Sequence, residues 1–297
     1  MIKRLIKYSI RLPHKLLISL FFVYEKILDF LVSSSLALYG RESFLLRIDN
    51  DKRKVQHKTK NSDISFNLYT PNRLCLLRQE TFSSKEPELL EWIEEFGDNG
   101  PLFDIGANIG IYSIYYALSK PGNVYSFEPS VFNLRQLAKN ININSLSEKI
   151  KIIPNPISND TSIEPFINSN TTEGGALNAF GVEYGYDGKK IENEVQYSVL
   201  GFSLDDLIQK KIIEELPSLI KIDVDGIEHL ILSGAKATIS HESCKSILVE
   251  VNDDFAKQSE EVGKILSNAG FKFREKRQWE DSSEEFGSTY NQIWVKE

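Results

Sequence analysis

Phe103-Asp104-Ile105-Gly106-Ala107-Asn108-Ile109-Gly110 decides how this chain is read. The apolar run Leu102–Ile105 leads into it and a helical pattern, Ile109–Ser119, follows it. Strand, glycine turn and helix form the context of a nucleotide-type turn. Gly106 lets the chain turn sharply, and Gly110 lets the helix pack close to the strand. The helix N-terminus then offers unpaired N–H groups to an anion. The turn is not the GxGxxG of dehydrogenases. Its middle position is Asn108, and Asp104 stands two residues before the first glycine. A carboxylate there repels a pyrophosphate and suits a ligand with a cationic amino group. Glu128 lies 18 residues beyond Gly110, at the end of the next apolar run, Val124–Phe127. A carboxylate in that place accepts both hydroxyls of a ribose. The pair Asp104 and Glu128 therefore fits an adenosyl ligand with a positively charged tail, as in S-adenosylmethionine.

Outward from this turn, short apolar runs alternate with helical patterns, the signature of βαβ units and a parallel sheet. The runs are Leu102–Ile105, Val124–Phe127, Ile150–Ile153, Leu219–Val224 and Ile247–Val251. Helices are expected over Ile109–Ser119, Pro129–Ile141, Leu204–Lys210, Ile227–Ile239 and Glu260–Ala269. Pro129 suits a first helical position, Ser203 with Asp206 makes a capping pair, and Gly270 closes the last helix. Two strand-like runs, Phe271–Glu275 and Gln292–Lys296, end the chain as an antiparallel hairpin. The expected fold is thus α/β, a doubly wound, mostly parallel sheet with a C-terminal antiparallel hairpin. Upstream, Lys85–Phe96 fits an amphipathic helix ending at Gly97. Ser43–Ile48 and Ile64–Tyr69 alternate like antiparallel strands, with Lys52–Lys60 as a solvated turn between them. This gives a helical and β extension over 1–79 and an α/β domain over 80–297. The stretch Asn159–Leu200 is too long for a plain connection and holds Gly174-Gly175 and Tyr184-Gly185-Tyr186. It suits a lid that stacks on a polyol, or a surface hairpin with no ligand.

The 297 residues carry 35 basic and 42 acidic side chains, a net charge of −7. That argues against nucleic acid as partner, which needs a basic footprint. Lys3, Arg4, Lys7, Arg11 and Lys15 fall in residues 1–24, which hold no acid. The longest stretch low in charge, Leu16–Tyr24, spans nine residues and is too short to cross a bilayer. Glu25, Lys26 and Asp29 also speak against a signal peptide. Residues 1–40 read as one or two amphipathic helices. They either lie on the inner face of a membrane or pack on the protein's own core or a second copy, so homo-oligomerisation stays open. Cys75 and Cys244 are far apart and form no CxxC, which fits a reducing, cytoplasmic compartment.

The glycine turn, Phe127-Glu128-Pro129, Lys221-Ile222-Asp223-Val224-Asp225-Gly226-Ile227-Glu228 and Ser233-Gly234-Ala235, in that order, resemble the FkbM-type methyltransferases. The resemblance covers roughly residues 80–297. It implies a class I methyltransferase Rossmann-like fold, S-adenosylmethionine as cofactor, and O-methylation of a sugar, glycan or other small metabolite, as in polysaccharide biosynthesis. Asp225 departs from the glutamate more usual there. The expected cofactor-binding residues are Asp104, Gly106, Asn108, Gly110, Glu128 and Asn155. Ligands of such sheets sit beyond the carboxyl ends of the strands. Asp223 ends the fourth strand, and Glu250 and Asn252 end the fifth. Two catalytic schemes remain: a carboxylate or His229 as general base, or a divalent metal held by Asp223, Glu250 and Asn252. The metal-independent scheme is preferred, with Asp223, Glu250 and Lys221 as catalytic residues. Lys221 is unusual inside a parallel strand and needs a charge partner, Asp104 or Glu250. Glu228 in a first helical turn and His229 as an exposed helix residue need no catalytic role. A non-catalytic adenosyl-binding or membrane-associated scaffold is the alternative.

Overall fold

The computed structural model describes residues 15–17, 19–27, 30, 34–59, 62–191, 195–278 and 286–296. Contacts divide the chain into two compact units, Met1–Asp51 and Lys52–Glu297. Residues 52–79, grouped above with the extension, thus belong to the larger unit.

In the smaller unit, residues 15–17 and 19–27 are helical, and helix α1 spans Ser34–Asp49. Ser43–Ile48 lies inside α1 and is not a strand. Six alternating residues satisfy both the period of a strand and that of a helix. Apolar side chains are spread around α1 and form no single stripe. Phe21 packs on Phe44, with ring centroids 5.0 Å apart, and Arg41 Nε donates to Glu25 Oε1 at 2.6 Å. The rest of the N-terminal helical expectation, residues 1–14 above all, lies outside the described residues. Among the described residues no helix is long and apolar enough to cross a membrane.

The larger unit opens with a hairpin of β1 (Lys52–Lys58) and β2 (Asp63–Tyr69). The solvated turn expected at Lys52–Lys60 is therefore mostly strand. Only Val55 of β1 is buried, so its sequence carries no alternating apolar signal. Helices α2 (Arg73–Glu80) and α3 (Pro87–Phe96) follow. Then come β3 (Leu102–Ile105), α4 (Ile111–Ser119), β4 (Val124–Phe127), α5 (Val131–Ile143) and β5 (Ile150–Ile153). After an antiparallel sheet of β6 (Ser162–Asn168), β7 (Ala179–Phe180) and β8 (Val195–Gly201), the α/β rhythm resumes. It runs through α6 (Leu204–Gln209), β9 (Leu219–Ile222), α7 (Glu228–Ser233), α8 (Lys236–Ser240), β10 (Ser246–Asn252) and α9 (Ala256–Asn268). It ends with β11 (Lys272–Arg277) and β12 (Thr289–Val295).

The main sheet has the order β11-β12-β10-β9-β3-β4-β5. The five strands from β10 to β5 are parallel to one another, and antiparallel pairings join β12 to β10 and β11 to β12 at the other edge. This is the strand order of class I methyltransferases. Part of the last hairpin's connection, residues 279–285, lies outside the described residues. Two apolar clusters cover the sheet. Leu102, Leu219 and Leu248 point into one, with Trp92, Tyr115 and Leu137. Phe103, Ile220 and Val249 point into the other, with Ile231 and Leu266. The Ser203 hydroxyl caps α6 by accepting from Asp206 N. The single helix expected over Ile227–Ile239 is two, α7 and α8, broken at Gly234. A Cβ there would lie 2.4 Å from Ser158 O, so the chain is pressed against its neighbour and cannot continue as one rod.

Candidate active site

A cavity of ≈ 680 Å³ opens beyond the carboxyl ends of β3, β4, β9 and β10. Of the expected site residues, Gly106, Asn108, Glu128, Asn155, Asp223 and Glu250 line it. Asp104, Gly110, Lys221 and Asn252 do not.

The reason lies in strand alternation. Asp104 and Lys221 are register partners on adjacent strands and share the face of Leu102 and Leu219. Their side chains are buried under the floor of the cavity. Lys221 Nζ lies 3.4 Å from Asp104 Oδ1, 3.1 Å from Asp223 Oδ2 and 3.4 Å from Gly106 O. Ser113 Oγ donates to Asp104 Oδ2 at 2.5 Å. Burial lowers the Lys221 pKa, but the charges of Asp223 and Asp104 outweigh it and leave it raised. Lys221 is therefore a charged strut that ties the glycine turn to Asp223.

The turn itself is fixed by backbone sterics. Gly106 has φ +83°, and a Cβ on it would meet Asp223 O at 1.9 Å. Glu128 ends the next strand, 4% exposed. Its Oε2 accepts from Asn108 N at 2.7 Å and its Oε1 from Ser130 N at 2.8 Å. Burial raises its pKa to about 7, against the pull of these N–H groups.

Beyond β9, Glu228 shapes the second turn. It accepts from Val224 N (3.1 Å), Gly226 N (3.1 Å) and the Gln258 amide. Burial raises its pKa to about 7. Asp225 is held there at φ +65°. Its Oδ2 accepts from Leu177 N at 2.7 Å and Asn178 N at 3.2 Å. Burial, then the charge of Asp223, raises its pKa to about 6. Glu250 lines the cavity from β10. Its pKa is well above the usual carboxylate range, through burial and then the charges of Asp223, Asp225 and Glu228. Asn252, the third member of the metal alternative, uses its Oδ1 to accept from Asp254 N at 2.9 Å. Among the described residues no group of three His, Cys, Asp or Glu is arranged to hold a metal. His229 is buried, not exposed, with its ring edge-on to Phe255.

The segment 170–178, expected as part of a lid or a bare hairpin, forms a wall of the cavity. Asn133 Oδ1 accepts from Gly174 N (2.8 Å), while Asn133 and Asn108 amides donate to Gly175 O at 3.0 and 2.8 Å. Arg78 Nε donates to Gly174 O at 2.9 Å.

Residues 104–273 match the Methyltransferase FkbM domain family. The chain belongs to this family. No curated protein matches it. Among solved structures, the methyltransferase FkbM from Methylobacillus flagellatus KT is similar at 16% identity and a TM-score of 0.44. That match covers 67% of this chain and 44% of the other, so the chain spans less than half of that structure's length. An rRNA methylase from Streptococcus thermophilus (10% identity, TM-score 0.43) covers 71% of this chain and 94% of its own. A precorrin-6y C5,15-methyltransferase from Geobacter metallireducens GS-15 (14%, TM-score 0.40) covers 74% and 89%.

Several lining residues of this FkbM-family chain lie outside the matched stretch. Arg78, Lys85 and Glu86 come from α2 and the start of α3. Glu86 accepts from Lys85 Nζ at 2.6 Å and from Tyr112 Oη at 2.7 Å. Burial works against its ionisation, but Lys85 prevails and holds its pKa at about 2. No spacing flags these three. The one signal was Lys85-Glu86-Pro87, opposite charges at a helix start.

Proposed function

We propose that this protein is an S-adenosylmethionine-dependent O-methyltransferase whose acceptor is a hydroxyl on a sugar, glycan or other small metabolite. What supports this reading is one cavity that gathers Glu128 at the tip of β4 with Asp223 and Glu250 beyond β9 and in β10. Its volume suits a small-molecule site, roughly 300–1,000 Å³. Ile105, Phe127 and Ile157 provide an apolar wall for a purine. Glu128 accepts one backbone hydrogen bond on each oxygen, which leaves lone pairs for ribose hydroxyls. Asp223, paired with Lys221, gives the sulfonium an opposite charge.

When bound, S-adenosylmethionine supplies an electrophilic methyl group on its sulfonium. Glu250 is suited to hold the acceptor's hydroxyl proton, because burial and neighbouring carboxylates raise its pKa. Asp223, ion-paired to Lys221, is held in a fixed orientation. Tyr186 and Phe286, with centroids 4.9 Å apart, line the cavity with Gln278 and Asn291. Flat rings beside amides suit a ligand with apolar faces and a hydroxylated edge.

The test is incubation with methyl-labelled S-adenosylmethionine and a cell extract, followed by fractionation. Label in a carbohydrate or small-metabolite fraction, stable to mild base as an ether is, supports the reading. Asp223→Asn is expected to abolish labelling and keep S-adenosylhomocysteine affinity. Label only in RNA or protein, or normal turnover by Asp223→Asn, overturns it.

A further inference from the structure

We propose that the helical residues 16–17 and 19–27 form a docking face for an anionic membrane surface. Leu16, Leu20, Val23, Tyr24 and Ile27 are spaced i, i+4, i+7, i+8 and i+11, which puts them on one face of a helix. They are 63, 57, 54, 56 and 48% exposed. A neighbouring side of the same helix is already occupied. There Phe21 packs on Phe44 and Glu25 pairs with Arg41, both from α1. That packing fixes the helix with its apolar face turned away from α1. Lys15 and Lys26 flank this face beside exposed Phe22, where their stems can lie along an apolar interface with the ammonium groups at the anionic surface. Among the described residues the helix is not long and apolar enough to cross a bilayer.

Charge selects the occupant. Residues 1–24 hold Lys3, Arg4, Lys7, Arg11 and Lys15 and no acid, while the rest of the chain has 30 basic and 42 acidic residues. A second copy packed segment against segment would set like charges against each other. An anionic leaflet attracts the basic residues of the segment, so apolar insertion and charge act together.

Flotation of the full chain with vesicles tests this. The vesicles are phosphatidylcholine alone, or a seven-to-three mixture with phosphatidylglycerol. The expected result is at least about tenfold more protein bound to the mixed vesicles, with binding lost as salt is raised. Lys3→Glu with Arg4→Glu is expected to lower the partition about tenfold or more. Leu20→Ser with Val23→Ser lowers it on both kinds of vesicle. The circular dichroism and melting temperature of each variant report folding. Equal binding to both vesicles, no binding to either, or a dimer that the serine variant dissociates while vesicles bind nothing, overturns the proposal. None of these outcomes depends on methyl transfer.

Discussion

Glu128 spends one lone pair of each carboxylate oxygen on a backbone N–H, from Asn108 and from Ser130. It thereby joins the glycine turn to the tip of β4 before any ligand arrives. Asp225 and Glu228 do the same for the second turn, and all three pay in desolvation, with pKa values of about 7, 6 and 7. A raised carboxyl keeps its proton longer folded than unfolded. Its stability contribution is therefore complete at acid pH and is lost as pH rises from the unfolded value near 4 to the folded value. Buried His229 has a lowered pKa and acts in the opposite sense, one group against these three and the likewise raised Glu250. The melting temperature of the ligand-free protein is expected to fall between about pH 5 and about pH 7.5, and to fall less in Glu228→Gln. A melting temperature that rises over this range in both proteins contradicts the assignment. Asp104 was legible as a buried-site carboxylate only in type. Its carboxylate was expected at the ligand, but alternation along β3 turns it under the sheet toward Lys221. A strand end read from sequence gives the residue but not the side on which it falls.

At the scale of elements, β3, β4 and β5 were legible to the residue, because each is a short run rich in apolar residues, interrupted only by Asp104, Ser126 or Lys151 and bounded by turn residues. β1 was illegible, since a lysine-rich strand with a single buried residue looks like solvated loop. Ser43–Ile48 failed for the opposite reason, a pattern too short to fix its period. The two turns that carry the site are demanding. Gly106→Ala would drive a Cβ into Asp223 O at a positive φ, and is expected to cost about 2–4 kcal/mol in a denaturant melt. A loss below about 0.5 kcal/mol would mean that the two turns do not abut. Asp225→Ala removes the acceptor shared by Leu177 and Asn178. Limited proteolysis within 170–178 is then expected to accelerate severalfold, with cleavage elsewhere unchanged. An unaltered digestion pattern would show that Asp225 does not hold this wall.

For the whole molecule, composition and charge set the class, and the alternation of strands and helices set the topology, including the antiparallel edge of β12 and β11. The boundary at Asp51 was not legible, because β1 gave no signal and its hairpin with β2 therefore went unseen. Lys52–Glu297 is a compact unit that contains every lining residue of the cavity. A fragment beginning at Lys52 is expected to fold and to bind S-adenosylhomocysteine within about twofold of the full chain. The most direct test of the central claim, that acidic side chains at the strand ends hold an adenosyl amino acid and not a dinucleotide, is calorimetric titration of wild type and Glu128→Ala with S-adenosylhomocysteine and with NADH. The account predicts saturable binding of the first ligand alone, weakened by about 1–3 kcal/mol in Glu128→Ala. Binding of NADH in its place, or equal affinity in both proteins, would contradict it.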